Sequence, residues 1–439
     1  MSPRPVPDLL PATQLRLPAS EERTLANGLT IIAVHRPAVP LVELRLRIPF
    51  ARANLPRASL LGQTLLSGTE TMSTVDIAAE LQKVGGALSA GVDPDRLVIS
   101  GNSLVSGLDR LLEILAEVLT GATYPAQEVA TERDRLADRI RVALTQPAHI
   151  ARSALLRRMY GRHPYAVQTP RPEQVLAVRP GNLRSLHAER VRPLGATLVL
   201  VGDITPAKAL DSAEKALSSW NGSGKTVELP PVPPLKSGPI TLVDRPGSVQ
   251  SSLRLAFTGV GRSHPDHAAL QLANLVFGGY FSSRLVENIR EDKGYTYSPH
   301  AVIEHSVAGT ALVVSADVAT EVTAPALLET WYELGRIAST PPTQEELEQA
   351  RQYALGTLQL GIATQAGLAG LVSNLAGFGL RLDWLAEHRR QLMEATLDDV
   401  FAAASRYLAP ARGVTIVVGD ASQVEQPLRL FGEVTLASH

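Results

Sequence analysis

The sequence predicts an α+β fold of two tandem homologous domains, each a mixed β-sheet covered by helices, with a Pro/Gly-rich linker between them. Two observations support this prediction. Strand-like and helix-like segments follow one another in the same order in both halves, and each half reaches a buried strand that ends in Val-Gly-Asp, at 201–203 and at 418–420. Such repetition indicates an internal duplication. We expect an N-terminal domain over 1–225, a linker over 226–240 and a C-terminal domain over 241–439.

The first half opens with an extended, Pro-rich arm and continues as strands and helices. Apolar residues alternate with charged ones from Leu41 to Pro49, which predicts a strand with one buried face. Leucines at helical spacing predict an amphipathic helix over 104–119. The other predicted segments are strands over 28–36, 96–100 and 196–203, and helices over 59–67, 74–84 and 128–145.

The second half repeats this order after the cluster of Pro and Gly residues that marks the linker. Strands are predicted over 240–244, 252–258, 311–317 and 414–420, and helices over 267–276, 343–360 and 365–375. Because strands and helices mix within each half, we expect the helices to cover one face of each sheet.

The composition limits the classes of function. Lys and Arg number 42 against 43 Asp and Glu, so the charge balance favours neither nucleic acid nor an anionic membrane as a partner. The absence of cysteine excludes disulfides, thiolate metal sites and cysteine nucleophiles. No apolar run is long enough for a transmembrane helix, and the N-terminus has no signal-peptide pattern, so a cytoplasmic location is expected by default.

The run from Phe277 to Ser298 is the most specific motif in the chain. It reads Phe-Gly-Gly-Tyr-Phe-Ser-Ser-Arg-Leu-Val-Glu-Asn-Ile-Arg-Glu-Asp-Lys-Gly-Tyr-Thr-Tyr-Ser. Together with Asn27-Gly-Leu-Thr, His163-Pro-Tyr and the two Val-Gly-Asp tripeptides, it resembles the pitrilysin/insulinase (inverzincin) zinc peptidases over nearly the whole chain. The resemblance implies that the two domains form one half of a clamshell.

In that family, the resemblance implies, an active domain carries His-x-x-Glu-His on a helix, where both histidines and a downstream Glu bind zinc and the motif Glu is general base. This chain departs from the pattern at every position. Ser59 and Gln63 replace the two histidines, and Gly62 replaces the base. Arg139, a cation, stands where the downstream Glu belongs. We therefore expect a degenerate zinc site and no metal in this chain.

Arg290 and Tyr297 match an Arg and a Tyr, seven residues apart, in the family's C-terminal signature. The resemblance implies that Tyr297 donates its hydroxyl to the scissile carbonyl as it becomes an oxyanion. It also implies that Arg290 holds a neighbouring backbone carbonyl of the substrate. Without the resemblance, the residues suggest only an ion pair of Arg290 with Glu287 or Glu291, and a tyrosine packed at the start of a strand.

The resemblance then implies that two chains share the chemistry. A homologous zinc-bearing peptidase subunit would supply the metal, while this chain would hold no cofactor and supply the Arg/Tyr pair. The heterodimer would cleave peptides or small unfolded polypeptides. Two alternatives stay open: a catalytically inert structural or binding protein of the same fold, and a homodimer that uses another metal site.

Three further features have ordinary structural interpretations. The segment around Ser89 resembles the edge strand to which active family members add substrate, but without zinc beside it we expect it to maintain the fold. The arginines of the helix from Arg133 to Arg141 are expected to form a solvated or inter-domain face. Four histidines lack the spacing of a zinc motif and are expected on the surface or in loops: His264, His267, His300 and His305.

Overall fold

The computed structural model describes residues 16–222, 224 and 227–437, which form two six-stranded mixed sheets with helices packed on them. The predicted α+β fold of two tandem homologous domains is therefore confirmed. The N-terminal arm and the first residue of the predicted linker lie outside the described residues. The domain boundaries predicted at 225 and 241 stay a prediction.

The first sheet and the helices around it follow one another along the first half of the chain. The strands are β1 (Ser20–Thr24), β2 (Thr30–His35), β3 (Leu41–Pro49), β4 (Ala87–Val92), β5 (Arg96–Leu104) and β6 (Thr197–Gly202). The helices are α1 (Leu55–Thr64), α2 (Thr74–Lys83), α3 (Leu108–Gly121), α4 (Ala126–Thr145), α5 (Pro147–Tyr160), α6 (Pro172–Leu176), α7 (Pro180–Arg190) and α8 (Pro206–Leu217).

The second half has a comparable set of elements. The strands are β7 (Ile240–Asp244), β8 (Gln250–Thr258), β9 (His300–Ser306), β10 (Gly309–Ala319), β11 (Val414–Gly419) and β12 (Val434–Ala437). The helices are α9 (His267–Asn274), α10 (Arg284–Val286), α11 (Thr323–Ser339), α12 (Gln344–Gly361), α13 (Gln365–Ala376), α14 (Trp384–Glu394), α15 (Leu397–Tyr407) and α16 (Ala421–Arg429), with π-helical continuations of α9 (Leu275–Gly279) and α10 (Glu287–Asp292). Within the described ranges no single helix is long and apolar enough to cross a membrane, and α12 and α13 pass that test only as a pair bent by 106°.

The two sheets share the topology of five strands. Their orders are β1-β2-β6-β3-β5-β4 and β12-β7-β11-β8-β10-β9. In each sheet a parallel pair, β2–β6 or β7–β11, is followed by three antiparallel pairings that end at an edge strand, β4 or β9. The internal duplication is therefore visible in the order and direction of the strands, while the remaining edge differs because β1 pairs antiparallel and β12 parallel.

The repeated Val-Gly-Asp tripeptides end the equivalent strands β6 and β11, and close packing explains their glycines. A Cβ atom at Gly202 would lie 2.3 Å from the carbonyl oxygen of Leu41, and one at Gly419 would lie 2.4 Å from Oγ of Ser251. Real Cβ contacts are not that short, so any other residue would push β3 away at position 202 and would displace the Ser251 side chain at position 419.

Each sheet is covered on its second face by a helix from the other half of the chain. Leu198 and Leu200 of β6 face the main core of the first domain, whereas Val199 and Val201 face α13. In the same way α5 packs on the second sheet, in a cluster that contains Ala151, Leu155, Met159, Val243, Ala256, Val313 and Ile416. Helices therefore cover both faces of each sheet, and not one face as predicted. The helix on the second face comes from the other half of the chain.

A buried carboxylate joins the turns at the ends of the two sheets. Asp95, in the β4–β5 turn, accepts a hydrogen bond from the hydroxyl of Tyr165 and, at 3.0 Å, another from the amide of Val307 in the β9–β10 turn. The amide of Ala308 donates to the Tyr165 hydroxyl oxygen at 3.1 Å. Because Asp95 and Tyr165 are buried, these bonds fix the orientation of one domain relative to the other.

Leu155→Ala is expected to lower the free energy of unfolding by about 2–5 kcal/mol, because it opens a cavity between α5 and the second sheet. The amides of β8 and β11 should then exchange faster with solvent in hydrogen-exchange measurements, although the substitution lies in the first half of the chain. Leu360→Ala, at an exposed position of α12, is the control and should change stability by less than about 0.5 kcal/mol. Unchanged protection of both strands in the Leu155 variant would contradict the mutual dependence of the two halves.

Candidate functional site

Arg290 and Tyr297 lie side by side on the surface of the second domain, and Phe281 also contacts the arginine. The guanidinium carbon of Arg290 is 4.7 Å from the ring centroid of Phe281 and 4.8 Å from that of Tyr297. Both are cation–π contacts, each worth about 0.5–1 kcal/mol at an exposed site. Tyr297 is 80 % exposed, and no described residue forms a hydrogen bond with its hydroxyl. The pair is therefore held together while the phenol stays accessible.

The end of a helix places Arg290 beside this phenol. α10 continues as the π-helical segment Glu287–Asp292, which contains Arg290, and π-helical turns are frequent at functional sites. Gly294 then takes a φ of +64° while its amide donates to the Arg290 carbonyl at 3.1 Å. Glycine is favoured there because a left-handed residue ends the helix and turns the chain back.

Tyr297 lies in an irregular segment three residues before β9, and not at the start of a strand as the residues without the resemblance suggest. The hydroxyl of the preceding Thr296 donates to the carbonyl of Asp317 in β10 at 2.7 Å. The Thr296 side chain thus bonds to a carbonyl that the backbone of a longer β9 would use. The backbone pairing of β9 with β10 begins only at His300, opposite Ser315. The anchored Thr296 fixes the backbone from which Tyr297 projects.

Arg290 also forms an ion pair, with Nε 3.0 Å from a carboxylate oxygen of Glu291. Of the two ion pairs expected without the resemblance, this one is present. Because the Glu291 side chain is half exposed, this ion pair contributes only about 0–1 kcal/mol to the stability of the protein. A tyrosine packed at the start of a strand is not observed, since Tyr297 is almost fully exposed.

Arg284, six residues before Arg290 in the same motif, has a structural role that the sequence did not reveal. Its Nε and Nη2 lie 2.5 and 2.8 Å from the two carboxylate oxygens of Glu346 in α12. The Arg284 side chain is only 5 % exposed. Burial raises the pKa of the Glu346 carboxyl, but hydrogen bonds from Arg284 and from the Thr343 amide outweigh it and lower the pKa to about 2.

Glu346→Gln is expected to destabilise the protein by about 3–5 kcal/mol, because it leaves the Arg284 guanidinium buried without a counter-charge. In the unmodified protein the stabilisation from Glu346 is fully present above its ordinary pKa of 4.5 and is lost as the pH falls towards 2. Urea denaturation at pH 7 measures the first effect. Glu345→Gln, at the exposed neighbouring position, is the control, and equal small losses in both variants would contradict the prediction.

The residues aligned with the zinc ligands lie on α1 and α4, and two of them touch. Arg139 donates from Nη2 to Oε1 of Gln63 at 3.1 Å, and both side chains are exposed. Ser59 is half-buried and Gly62 is buried. These positions offer a hydroxyl, an amide oxygen and a permanent cation, a set that does not fit zinc. The contact between Arg139 and Gln63 agrees with an alignment that places Arg139 beside α1, the helix of the degenerate motif. That these four positions correspond to the zinc site stays a prediction.

The edge strand β4 packs directly against α1 at Gly62. A Cβ atom there would lie 3.2 Å from Cγ2 of Val92 and 3.4 Å from Cα of Gly91. A side chain at this position would require Val92 and the neighbouring backbone of β4 to shift by a few tenths of an ångström. Ser89, in the middle of β4, is exposed and donates to the carbonyl of Ser100 at 3.3 Å, within the sheet.

The arginine-rich helix α4 has the solvated face expected of it. Three of its arginines form ion pairs with neighbouring acids on the same helix: Arg133 with Asp134, Arg135 with Glu132 and Arg141 with Asp138. Only Arg139 reaches across to another element, α1.

Two of the shorter motif matches have structural explanations. The Nδ1 of His163 accepts from the amide of Tyr165 at 3.2 Å, so Nε2 carries the proton and donates to the carbonyl of Pro230 at 2.9 Å. Asn27 donates to the carbonyl of Leu217 at the end of α8 at 2.9 Å. His163 thus ties the inter-domain segment to the first domain, and Asn27 caps a helix end.

His267, His305 and His388 form a cluster between α9, β9 and α14. The ring centroid of His267 is 5.2 Å from that of His305 and 5.1 Å from that of His388, on which Trp384 stacks at 4.4 Å. The prediction that His267 lies on the surface or in a loop is wrong, because His267 is only 2 % exposed. His305, for which the same was expected, is half-buried. His264 and His300 are exposed as expected. In the described ranges, no group of three or more His, Asp or Glu side chains is arranged to hold a metal ion.

Burial keeps this histidine cluster uncharged. It lowers the pKa of His267 to about 2 and the pKa values of His305 and His388 to about 4. The positive charge of Arg262, which lies over Trp384, lowers all three further.

Two family models match the chain over consecutive ranges. The model described as insulinase, peptidase family M16, matches residues 57–173, and the one described as peptidase M16 inactive domain matches residues 177–353. Together the two matches span more than half of the 439 residues.

Similar proteins and structures extend over almost the whole chain. An uncharacterized zinc protease of Mycobacterium bovis is 25% identical over 97% of this chain and 99% of its own length. One of Bacillus subtilis is 26% identical over 77% of this chain and 83% of its own. The crystal structure of a peptidase M16 inactive domain from Pseudomonas fluorescens has a TM-score of 0.85, with 25% identity over 92% of this chain and 98% of that one. A protease from Helicobacter pylori, at 19% identity and a TM-score of 0.84, covers 92% of this chain and 100% of that one and shows the same fold.

Proposed function

We propose that this chain, which belongs to the insulinase family of peptidases, family M16, is the non-zinc-binding subunit of a heterodimeric metallopeptidase. A homologous zinc-bearing subunit would supply the metal, and this chain would supply Arg290 and Tyr297 to the substrate. The substrates would be peptides or small unfolded polypeptides. The observation that carries the proposal is that the half-buried Arg290 holds the exposed Tyr297, in a chain whose zinc-site positions carry no suitable ligand.

The metal has to come from another chain. Ser59, Gly62 and Gln63 cannot replace two imidazoles and a general base, and Arg139 would repel a dication. The zinc of the partner would activate the attacking water. The contribution of this chain would then be to bind and orient the peptide.

Tyr297 and Arg290 are suited to hold two carbonyl groups of an extended peptide. The accessible Tyr297 hydroxyl can donate to the scissile carbonyl oxygen, and this bond strengthens as negative charge develops there. Glu291 lies beside Nε of Arg290, and no described residue forms a hydrogen bond with the two Nη nitrogen atoms, which can hold a second carbonyl. The cation–π contact would keep the two donors in a fixed relative orientation.

Co-expression with an M16 chain that carries an intact His-x-x-Glu-His tests the proposal. A stable equimolar complex is expected in size-exclusion chromatography, and an unstructured fluorogenic peptide should be cut by the mixture far faster than by either chain alone. A zinc-bearing homologue that is fully active alone, and unaffected by this chain, would instead favour the inert structural or binding protein. The cytoplasmic location and the exclusion of nucleic acid and membranes as partners stay predictions.

A further inference from the structure

A cleft of about 950 Å³ opens beside α5, where this helix crosses the second sheet. Its walls are α5, the segment 166–171 of the first half, and parts of β7 and β12. The volume falls in the range of small-molecule sites. None of the residues assigned above to the Arg290–Tyr297 pair or to the degenerate zinc site lines it.

The lining of this cleft is strongly basic, although the charges of the whole chain nearly cancel. No Asp or Glu lines it. Its titratable residues are His149, Arg152, Arg157, Arg158, Arg171 and Arg245. Positive charges that converge on a concave surface raise the local potential and attract anions.

Most of these charges lack a counter-charge among the residues that the structure describes. Arg152 is neutralised by Glu304 through two bonds of 2.9 and 2.7 Å. Arg158 donates to the backbone carbonyl of Lys236 at 2.7 Å, which leaves its charge unbalanced. For the other three arginines of the cleft, no carboxylate of the described residues lies within ion-pair distance.

Two buried nitrogen atoms in the cleft also lack a hydrogen-bond partner among the described residues: Nη1 of Arg245 and Nε2 of His149. Buried donors of this kind are normally satisfied, so each indicates a missing partner. The N-terminus of α5 borders the same space, and Gln146 makes no side-chain capping bond there. The last residues of α4, Leu144 and Thr145, line the cleft as well, so the two helix dipoles offset each other and the positive potential comes from the arginines.

We infer that this cleft binds a small anion with three or more negative charges. Guanidinium groups form paired hydrogen bonds with phosphate and with carboxylate oxygens alike, so both polyphosphates and polycarboxylates fit. Apolar residues such as Ile150, Leu156 and Val167 line the rest of the cleft and would contact a carbon skeleton attached to the anion.

Isothermal titration calorimetry on the full chain tests this inference with two probes, inorganic tripolyphosphate and propane-1,2,3-tricarboxylate, at equal ionic strength. Saturable 1:1 binding of at least one probe is expected. The double variant Arg157→Gln/Arg171→Gln should bind that probe at least about a hundredfold more weakly, because two charge-assisted contacts are lost. Both arginines are exposed, and unchanged thermal unfolding of the variant would show that it folds.

Arg412→Gln is the control, because Arg412 is an exposed arginine outside the cleft, and it should change the affinity less than about twofold. Binding of only one probe would identify the anion as a phosphate or a carboxylate and support the inference. The inference would be overturned if neither probe binds, or if the double variant and Arg412→Gln lose the same affinity. It would also be overturned if only an acidic peptide such as hexaglutamate binds.

Discussion

Tyr297→Phe is expected to lower kcat of the complex with the zinc-bearing partner by about 10²- to 10³-fold, with little change in KM. The substitution removes one hydroxyl and leaves the ring against Arg290, so only a donor to the developing oxyanion is lost. Loss of one such donor costs about 3–4 kcal/mol of transition-state stabilisation. The measurement is steady-state cleavage of a fluorogenic peptide by the reconstituted complex.

Two further variants separate this role from packing. Tyr332→Phe removes a hydroxyl from another exposed tyrosine, on α11, and should leave kcat unchanged. Arg290→Lys keeps the charge but loses the planar set of donors, so it should lower kcat/KM almost as much as Arg290→Ala. Full activity of the Tyr297→Phe complex would show that the hydroxyl has no part in hydrolysis, and would favour the inert alternative.

Acidification is expected to unfold the protein steeply between about pH 6.5 and pH 4, because of the histidine cluster. In the folded state the pKa values of His267, His305 and His388 lie well below the ordinary value of 6.5. Between the two values the unfolded chain binds protons that the folded chain does not, so stability falls as the pH falls. With three such groups, the free energy of unfolding falls by up to about 4 kcal/mol for each pH unit of acidification.

Among the residues that the structure describes, no acid contributes to the electrostatics of the cluster and could compensate for protonation. His267 faces Arg262 and His264, His305 is hydrogen-bonded to Thr310, and His388 to Gln271. Each of these neighbours is neutral or positively charged, so a proton gained there stays unpaired. Above pH 6.5 the same histidines are uncharged in both states and cause no pH dependence.

Urea denaturation at pH 7, 6 and 5 measures the slope. His388→Gln places an amide where Nε2 contacts Gln271 and removes one titrating group, so the slope should fall by about 1.4 kcal/mol per pH unit. His300→Asn, at an exposed position, is the control and should leave the slope almost unchanged. Equal slopes in the unmodified protein and the His388 variant would show that the cluster does not control acid stability.

The sequence was sufficient to predict the duplicated fold, because the signals of its central strands are local. The strand from Leu41 to Pro49 is recognisable by its alternation, and the Val-Gly-Asp repeats lie at the ends of β6 and β11, where close packing requires glycine. β1 and β12 were missed because each lies at a sheet edge and is mostly exposed, so neither has an apolar pattern. α11 has no clear apolar stripe although it is largely buried, since Thr323, Thr330 and Glu333 occupy buried positions.

Contacts between distant parts of the chain could not be predicted. Nothing in the residues of α5 and α13 indicates that each packs on the sheet of the other half. Arg290 and Tyr297 were identified from the motif, but the contribution of Phe281 depends on how the helix end turns. His267 and His388 are 121 positions apart, so their contact follows from the tertiary fold alone.

The metal content of the chain purified alone tests most directly whether its hydrolytic metal comes from another subunit. Elemental analysis after dialysis against zinc-containing buffer should give far less than one zinc ion per chain, and the same sample should not cleave an unstructured peptide. One tightly bound zinc ion per chain, together with chelator-sensitive cleavage in the absence of any other subunit, would contradict the proposal.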